Sequence, residues 1–324
     1  MSYDVVIIGG GSAGCSAAYN LGIKGQKVLL VEKNIYLGGL MTGGLVTPFM
    51  KTSKNQINTG FLTAFKTELK ALNGIITYED GNDGWVNPEL SKMALGSLMK
   101  KANVEVLFDT TVESVNIANN KIESINLNSK MLSECIKSRY YIDATGNCDF
   151  SKICNCEFLN KKDEIQPVNL RFIMSNVDVK KFGEWLLDLD KDRNVTTVCD
   201  IDGATHLSTA YTWDTGRQWA LAPLFDKAVD DGVIKNEDRN YFQLFTIPNM
   251  PNSIGFNAPR VYSKNVINPM DKYDFSKAVM LGRESILRLS EFCKRYLVGF
   301  ENAYISSTAD MLGVRVSRRI KGKY

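Results

Sequence analysis

The sequence predicts an α/β fold that begins with a parallel sheet. Three features support this prediction: a strand without polar alternation, a glycine-rich turn leading into a helix, and a second strand ending in an acid. The first strand is the β-branched run 5–8, which is typical of a strand buried on both faces of a parallel sheet. The helix is predicted to begin near Ser12, and the second strand, 28–31, is followed by Glu32. These elements form a βαβ unit.

The turn after the first strand has the G-x-G-x-x-G spacing of dinucleotide-binding proteins. The first glycine allows a tight turn, the second lets a pyrophosphate approach the backbone, and the third lets helix and strand pack closely. The helix N-terminus offers free N–H groups to phosphates, and Glu32 follows at about the 20-residue spacing of an acid that binds ribose. A glycine turn without a ligand is the alternative. The ordered features instead predict an adenine dinucleotide bound by Gly9, Gly11, Ser12, Ala13, Gly14 and Glu32.

Length and composition are those of an ordinary globular protein. The chain has 324 residues, enough for about two domains, with 44% hydrophobic and 23% charged residues. A net charge of +3 is too small to predict binding to nucleic acid or to an anionic membrane. No apolar run approaches the roughly 20 residues of a membrane span. Seven irregularly spaced cysteines favour a reducing compartment, so we expect a cytoplasmic protein.

A glycine-rich stretch follows where a helix would normally continue the βα alternation. Residues 38–44 contain four glycines, which disfavours both helix and strand. Such a stretch suits backbone that lies against a flat ligand. It indicates a ligand longer than NAD lying across the sheet edge, such as extended FAD, whereas a plain connecting loop is the alternative.

The opening fingerprint, the pair Glu32–Lys33 and the stretch 37–44 (LGGLMTGG) resemble the FAD-dependent oxidoreductase family of the glutathione-reductase-like flavoproteins. The resemblance implies a Rossmann-like FAD-binding domain, made of a parallel sheet plus a β-meander, with an inserted α+β substrate domain. The segment 141–146 (YIDATG) is similar to the family's strand and glycine turn beside the flavin. The resemblance therefore adds these residues to the FAD site: Lys33, Gly38, Gly39, Thr42, Val112, Ala144, Thr145 and Gly146.

Later segments agree with this architecture. Asn87 is predicted to cap a helix that begins at Pro88 and ends near Lys101. A parallel strand over 104–108 then leads to the meander, for which Asn119 and Asn120 form the first turn. The predicted meander strands are 115–117, 121–127 and 135–141.

Residues 161–262 are rich in aromatic side chains and are predicted to form the inserted substrate domain. A strand begins near 166–172, a helix lies around 182–187, and 257–262 resembles the family's return strand. A long amphipathic helix over 275–296 follows. The predicted FAD-binding domain is therefore discontinuous, comprising 1–160 and 263–324.

The stretch 312–319 (LGVRVSRR) resembles the family's Gly-Val-Arg-Glu-Ser-Arg-Arg element, with Val316 in place of Glu. Family members continue with a further strand, a glycine turn and a helix that faces the flavin. We therefore expect a C-terminally incomplete FAD domain, and completion by a partner chain or a second copy is one alternative that follows from it. Arginine suits bidentate carboxylate recognition. Four arginines are therefore candidates for substrate contact: Arg171, Arg260, Arg315 and Arg318. For Arg315 and Arg318 the alternative is a solvated tail.

Other reactive residue types give weaker indications. Cys148, Cys154 and Cys156 lack the paired spacing of structural zinc sites, so no metal is predicted. The glycine-rich stretch contains no cysteine, which argues against the redox disulfide of disulfide reductases. Cys15 stands at a helix start that could lower its pKa, although close packing is favoured. His206, the single histidine, is predicted to be a pocket or surface residue, with an acid–base group and the anchor of a covalently attached flavin as the alternatives.

These features predict an FAD-dependent oxidoreductase that transfers hydride between a small organic substrate and bound flavin. No catalytic base is identified. No second G-x-G-x-x-G follows a strand, so no dedicated nicotinamide-binding domain is predicted. One alternative is a non-catalytic or split-enzyme subunit with a degenerate FAD fold that needs a partner chain. A third hypothesis is a dehydrogenase that uses NAD alone.

Overall fold

The chain folds around two six-stranded sheets. The computed structural model describes residues 2–49, 60–77, 83–130, 133–159, 167–193, 195–201, 203–209, 220–261, 267–315 and 317–322. The helices are α1 (Ser12–Gly22), α2 (Phe61–Ala71), α3 (Pro88–Lys101), α4 (Asp149–Ile153), α5 (Val179–Leu189), α6 (Ala222–Asp230) and α7 (Lys272–Tyr296). The strands are β1 (Ser2–Ile8), β2 (Val28–Val31), β3 (Ile75–Thr77), β4 (Asp83–Val86), β5 (Glu105–Leu107), β6 (Thr111–Ala118), β7 (Lys121–Asn128), β8 (Ser133–Asp143), β9 (Val168–Asn169), β10 (Phe172–Ser175), β11 (Thr196–Ile201), β12 (Ala204–Thr209), β13 (Leu244–Thr246), β14 (Ser253–Phe256), β15 (Arg260–Val261) and β16 (Tyr304–Thr308).

The first sheet has the order β5-β2-β1-β8-β7-β6. Strands β5, β2, β1 and β8 run parallel, and β8, β7 and β6 form an antiparallel meander. Val6 and Ile7 of β1 are fully buried, as expected for a strand covered on both faces. The predicted parallel, Rossmann-like core is confirmed.

Strand β8 belongs to both parts of this sheet. The first part of β8, up to Ile136, pairs antiparallel with β7, and Lys137–Asp143 pairs parallel with β1. The sequence suggested a meander strand and a separate strand before the glycine turn. The structure joins them into one strand of 11 residues. The end of the meander thereby fixes where the glycine turn begins.

Local signals set the element boundaries in this half of the chain. The Asn87 side chain accepts hydrogen bonds from the Glu89 and Leu90 backbone N–H groups, so α3 begins at Pro88 as predicted. Asn119 and Asn120 have φ of 50° and 57°, left-handed values that asparagine tolerates and that a tight hairpin turn requires. The predicted cap and hairpin are confirmed.

The second sheet, of order β11-β12-β13-β14-β10-β16, is antiparallel between each pair of neighbours. Its core is aromatic: Phe172 stacks on Phe256 with ring centroids 4.2 Å apart, and Phe292 of α7 is fully buried in the same core. Strand β16 pairs with β10. Both α7 and β16 therefore pack with the second sheet, although residues 263–324 were predicted to lie in the FAD-binding domain. Amphipathic periodicity reveals a buried face but not which sheet that face covers.

The short strands β9 and β15 pair antiparallel with each other as a separate two-stranded sheet, with Arg260 opposite Asn169. They correspond to the predicted entry strand and return strand. Gln166, Tyr262 and Val316, which the sequence analysis used, lie outside the described residues. In the part of the chain that the structure describes, no helix has the length and apolar character needed to cross a membrane.

Candidate cofactor site

A cavity of about 550 Å³ lies at the carboxyl ends of β1, β2 and β8. Ligands bind at this edge of open parallel sheets because the connecting loops and helix N-termini converge there. Most of the predicted FAD-binding residues line the cavity: Gly9, Gly11, Ser12, Ala13, Glu32, Lys33, Gly38, Gly39, Val112, Ala144, Thr145 and Gly146. Gly14 and Thr42 are not among the lining residues.

The three glycines of the first turn have different surroundings. Gly9 has φ of +105°, and a Cβ there would lie 2.4 Å from the Ala144 carbonyl oxygen. A Cβ on Gly14 would lie 1.8 Å from the Gly9 carbonyl oxygen, so helix and strand pack with no room for a side chain. A Cβ on Gly11 would meet nothing within 4 Å. Gly9 and Gly14 therefore allow the fold, whereas Gly11 keeps the cavity open.

The N-terminus of α1 opens onto this cavity. Its N-cap residue is Gly11, no side chain caps the helix, and the first turn contains no acid. Ser12 and Ala13 are exposed and line the cavity. Because the first N–H groups of an α-helix have no partner within the helix, they are available here to an anion.

Glu32 is 5% exposed, and protein donors surround its carboxylate. The Gly10 N–H donates to Oε2 (2.6 Å), and the Asn34 backbone N–H (2.8 Å) and side-chain amide (2.7 Å) donate to Oε1. Glu32 therefore fixes the glycine turn as well as lining the cavity. Asn34 also lines the cavity. Asn34 was not predicted as a site residue, because an asparagine after a strand is a common turn residue.

The glycine-rich loop docks directly on the first turn. The Gly38 N–H donates to the Gly10 carbonyl (2.8 Å), and Gly38 and Gly39 have φ of +99° and +56°. Thr42 is fully buried, and its hydroxyl donates to the Leu37 carbonyl at 2.6 Å. Thr42 thus stabilises the loop from inside instead of facing the cavity, because its hydroxyl satisfies a backbone carbonyl that the tight turn leaves unpaired.

Asp143 holds the second glycine turn, a role that the sequence analysis missed. Its Oδ1 accepts from the Thr145 N–H (3.0 Å) and hydroxyl (2.7 Å), and its Oδ2 accepts from the Ser151 N–H (2.8 Å) and hydroxyl (2.6 Å). Burial alone would raise the pKa of Asp143, but these hydrogen bonds hold it below its ordinary value. Asp143 therefore ties the cavity-lining turn to α4.

Replacing Asp143 with alanine is expected to lower the free energy of unfolding by about 2 kcal/mol, because charge-assisted hydrogen bonds are lost from a half-buried carboxylate. The folded-state pKa is lowered, so the ionised carboxylate stabilises the fold at pH above about 4, the unfolded value, and this contribution disappears as pH falls through the lowered pKa. Urea unfolding at pH 7 and pH 3 measures both effects. A parent and variant that differ equally at both pH values would contradict the assignment.

Several lining residues come from the second half of the chain. Phe275 and residues 310–312 line the cavity, as does Val314. The Met311 N–H donates to the Gly43 carbonyl (3.0 Å), which joins this segment to the glycine-rich loop. Leu312 and Val314 belong to the family-like stretch 312–319, whereas no local motif marks Phe275 or residues 310–311. Their position depends on the pairing of β16 with β10, about 130 residues earlier in the chain.

The four predicted substrate arginines occupy two environments, and none lines the cavity directly. Arg318 forms an ion pair with Asp149 (2.6 Å) and donates to the Asn147 carbonyl (3.0 Å). It therefore fastens the C-terminal stretch to the loop after the second glycine turn, and this part of the stretch is not a solvated tail. Arg171, Arg260 and Arg315 lie instead around the β9–β15 pair.

Cys15 and His206 lie away from the cavity lining. Cys15 is fully buried, its thiol donates to the Gly10 carbonyl (3.1 Å), and burial raises its pKa to about 12. A thiolate is therefore disfavoured, which supports the packing role. His206 lies on β12, with its Nδ1 3.3 Å from the Thr246 hydroxyl.

The residues around the cavity fit an extended dinucleotide. Positions 11 and 146 carry glycines at which a Cβ would project into open space, so a ligand can approach the backbone closely. The uncapped helix N-terminus suits a pyrophosphate, and the cavity volume of about 550 Å³ falls within the range of cofactor sites. Met41, Leu312 and Val314 provide apolar lining for a flat ring system.

Comparison with known proteins agrees with this fit. A model of the FAD dependent oxidoreductase family matches residues 4–324. The thiamine thiazole synthase of Methanococcus aeolicus is 30% identical over 175 residues, which is 51% of this chain and 61% of the synthase.

Two solved structures share the fold. A geranylgeranyl bacteriochlorophyll reductase-like protein of Thermoplasma acidophilum aligns with a TM-score of 0.53 and 14% identity, covering 96% of this chain and 66% of that protein. The myxobacterial chondrochloren halogenase CndH aligns with a TM-score of 0.54 and 15% identity, covering 97% of this chain and 63% of the halogenase. The chain thus spans less than two thirds of the length of these relatives, and the structural likeness shows the fold alone. Because the family model covers almost the whole sequence, the chain belongs to the FAD-dependent oxidoreductase family, and its cofactor is FAD.

Proposed function

We propose that this protein transfers hydride between a small organic substrate and bound FAD, as a member of the glutathione-reductase-like branch of flavoproteins. The observation that carries the proposal is the cavity between the uncapped N-terminus of α1 and the glycine-rich loop. When bound there, the flavin supplies the hydride chemistry. The protein residues bind and orient the cofactor and exclude water.

Each part of the cavity has a proposed role toward FAD. The Gly11, Ser12 and Ala13 backbone would bind the pyrophosphate, since free N–H groups and the helix dipole favour an anion there. Glu32 and Lys33 would hold the ribose next to the adenine. The two glycine turns would hold the ribityl chain and the flavin ring, through Gly38, Gly39, Ala144, Thr145 and Gly146. Val112, at the start of β6, would contact the adenine.

The substrate would meet the flavin at the boundary between the two sheets. Residues 310–312 and Val314 line the cavity and follow β16, a strand of the second sheet. The loop containing Met41 also lines the cavity, and Met311 donates a backbone hydrogen bond to this loop. Apolar lining from both segments would exclude water from the reacting atoms.

A second candidate function is a subunit that needs a partner chain. The observation that favours it is the free edge of β8: in the part of the chain that the structure describes, Lys137–Asp143 pairs only with β1. Tyr140 on this segment is 62% exposed. An unpaired strand edge can accept a strand from another chain.

Reconstitution with FAD tests the proposal against this alternative. The chain, purified and incubated with FAD, is expected to retain yellow flavin absorbance after gel filtration and to elute as a monomer. A reduced substrate that bleaches the flavin bands without oxygen would support hydride transfer. Colourless protein that regains no flavin would contradict the proposal, and colour acquired only in an oligomer or with a second chain would favour the partner-dependent subunit.

A further inference from the structure

Among the residues that the structure describes, the buried cation Arg171 has no carboxylate partner. Its side chain is 5% exposed, its Nη1 donates to the Leu45 carbonyl (2.9 Å), and its Nε has no hydrogen-bond partner. Within the described ranges, no aspartate or glutamate forms an ion pair with it. A buried charge is costly unless it is paired, so this side chain has an unmet requirement for an anion.

Two further arginines lie around it. Burial lowers the pKa of Arg171 to about 10, and electrostatic repulsion from Arg315 acts in the same direction. The Arg260 guanidinium lies 4.1 Å from the centre of the Tyr241 ring, and Tyr241 also interacts with Arg171. Arg171, Arg260 and Arg315, which we call the arginine cluster, therefore bring positive charges together, and no acid in the described part of the chain pairs with them.

The polar side chains beside the arginine cluster satisfy one another. Asn169 donates to the Asn257 Oδ1 (2.9 Å), and Asn257 in turn donates to the Tyr241 hydroxyl and the Gln243 Oε1, each at 3.0 Å. These are neutral groups, so they position the ring of Tyr241 but do not neutralise the arginines. The counter-charge must come from outside this network.

Two hydrogen bonds connect Arg171 to segments of the chain that line the cavity. Leu45, which accepts the hydrogen bond from Arg171, ends the glycine-rich loop whose earlier residues line the cavity. The Arg171 carbonyl accepts from the Ala309 N–H (2.8 Å), and the next residue, Asp310, lines the cavity. Tyr36 and Thr47, at the two ends of this loop region, each have a buried hydroxyl without a partner. Three buried side chains with an unused donor, Arg171, Tyr36 and Thr47, therefore belong to this loop region or are bonded to it.

We propose that the arginine cluster binds a carboxylate of the substrate, so that the protein acts on a small organic acid. The proposal rests on the hydride-transfer function above and adds its substrate class. Arginine presents planar, parallel donors that match the two oxygens of a carboxylate. Arg171, the most buried member, fixes the position of the acid, and Arg315, which is exposed, guides the acid electrostatically.

Calorimetric titration of the FAD-loaded protein with benzoate and succinate tests the proposal. Both acids are expected to bind, whereas benzamide and succinamide, which lack the charge, are not. Arg171→Gln is expected to weaken binding of the acids on the order of ten- to hundredfold, with Arg171→Lys intermediate because it keeps charge but loses the planar donors. Arg283→Gln, on the exposed face of α7, is the matched control and should bind as the parent does.

Three outcomes would overturn the proposal: amides that bind as tightly as the acids, sulfate that binds as tightly as succinate, or no acid that binds at all. If Arg171→Gln does not fold, Arg315→Gln at the exposed position takes its place, and unchanged acid binding there counts against the cluster. The same titration on FAD-free protein separates the two proposals. Acid binding without any FAD binding would reject the oxidoreductase proposal and retain the anion site.

Discussion

The Gly11→Asp variant is expected to lose at least about 100-fold in FAD affinity, which corresponds to roughly 3 kcal/mol, while folding at least as stably as the parent. The new side chain enters open space, since a Cβ at this position meets no atom within 4 Å. Aspartate is also a favourable N-cap, with extended backbone dihedral angles such as those of Gly11 (φ −68°, ψ −177°). Its charge would occupy the place proposed for the pyrophosphate and repel it.

Flavin fluorescence titration measures the affinity, and urea unfolding of the apoprotein measures the stability. Gly11→Asn is the matched control for charge, because asparagine has nearly the same size and also caps helices well. It should bind FAD better than the aspartate variant does. Parent-like FAD affinity in Gly11→Asp would place the pyrophosphate elsewhere and refute the proposed cradle.

Gly14→Ala provides the converse result. A Cβ there would lie 1.8 Å from the Gly9 carbonyl oxygen, so the backbone of the turn must shift. Overpacking of this kind costs about 1–3 kcal/mol, and the variant is expected to lose both stability and FAD. The two glycines therefore separate the requirements of the fold from those of the ligand.

The Glu32→Ala variant is expected to bind FAD about ten- to hundredfold more weakly, because a charge-assisted hydrogen bond contributes roughly 1.5–3 kcal/mol. The structure adds a second expectation. The Gly10 N–H and the Asn34 donors lose their acceptor, so the apoprotein should also be destabilised by about 1–3 kcal/mol.

Glu32→Gln distinguishes these two effects. The glutamine carbonyl can accept from Gly10, but its amide faces the Asn34 donors, so stability should recover only in part. Glu113→Ala, which removes an exposed acid on β6, is the control and should behave as the parent does. Flavin fluorescence and urea unfolding report the two quantities. Unchanged FAD binding in Glu32→Ala would remove Glu32 from the ribose site.

Local sequence patterns determined the first βαβ unit, the N-cap of α3 and the Asn119–Asn120 hairpin. In each case the signal is a backbone requirement met within a few residues: a positive φ, a free helix end or a strand buried on both faces. Most of the residues predicted to bind FAD line the cavity, because the glycines that shape the cavity also shape the turns that form it.

The tertiary structure alone decided how distant segments meet. In the structure, α7 and β16 pack with the second sheet, and the Thr42 hydroxyl donates to a carbonyl of its own loop. Asp143 connects the glycine turn to α4 by hydrogen bonds. The structure also separated Arg318, which is paired with Asp149, from Arg171, which is buried and pairs with none of the described acids. A sequence motif specifies local backbone geometry, whereas burial and pairing of a side chain depend on residues far away in the chain. The charge environment of each arginine therefore followed only from the packed structure.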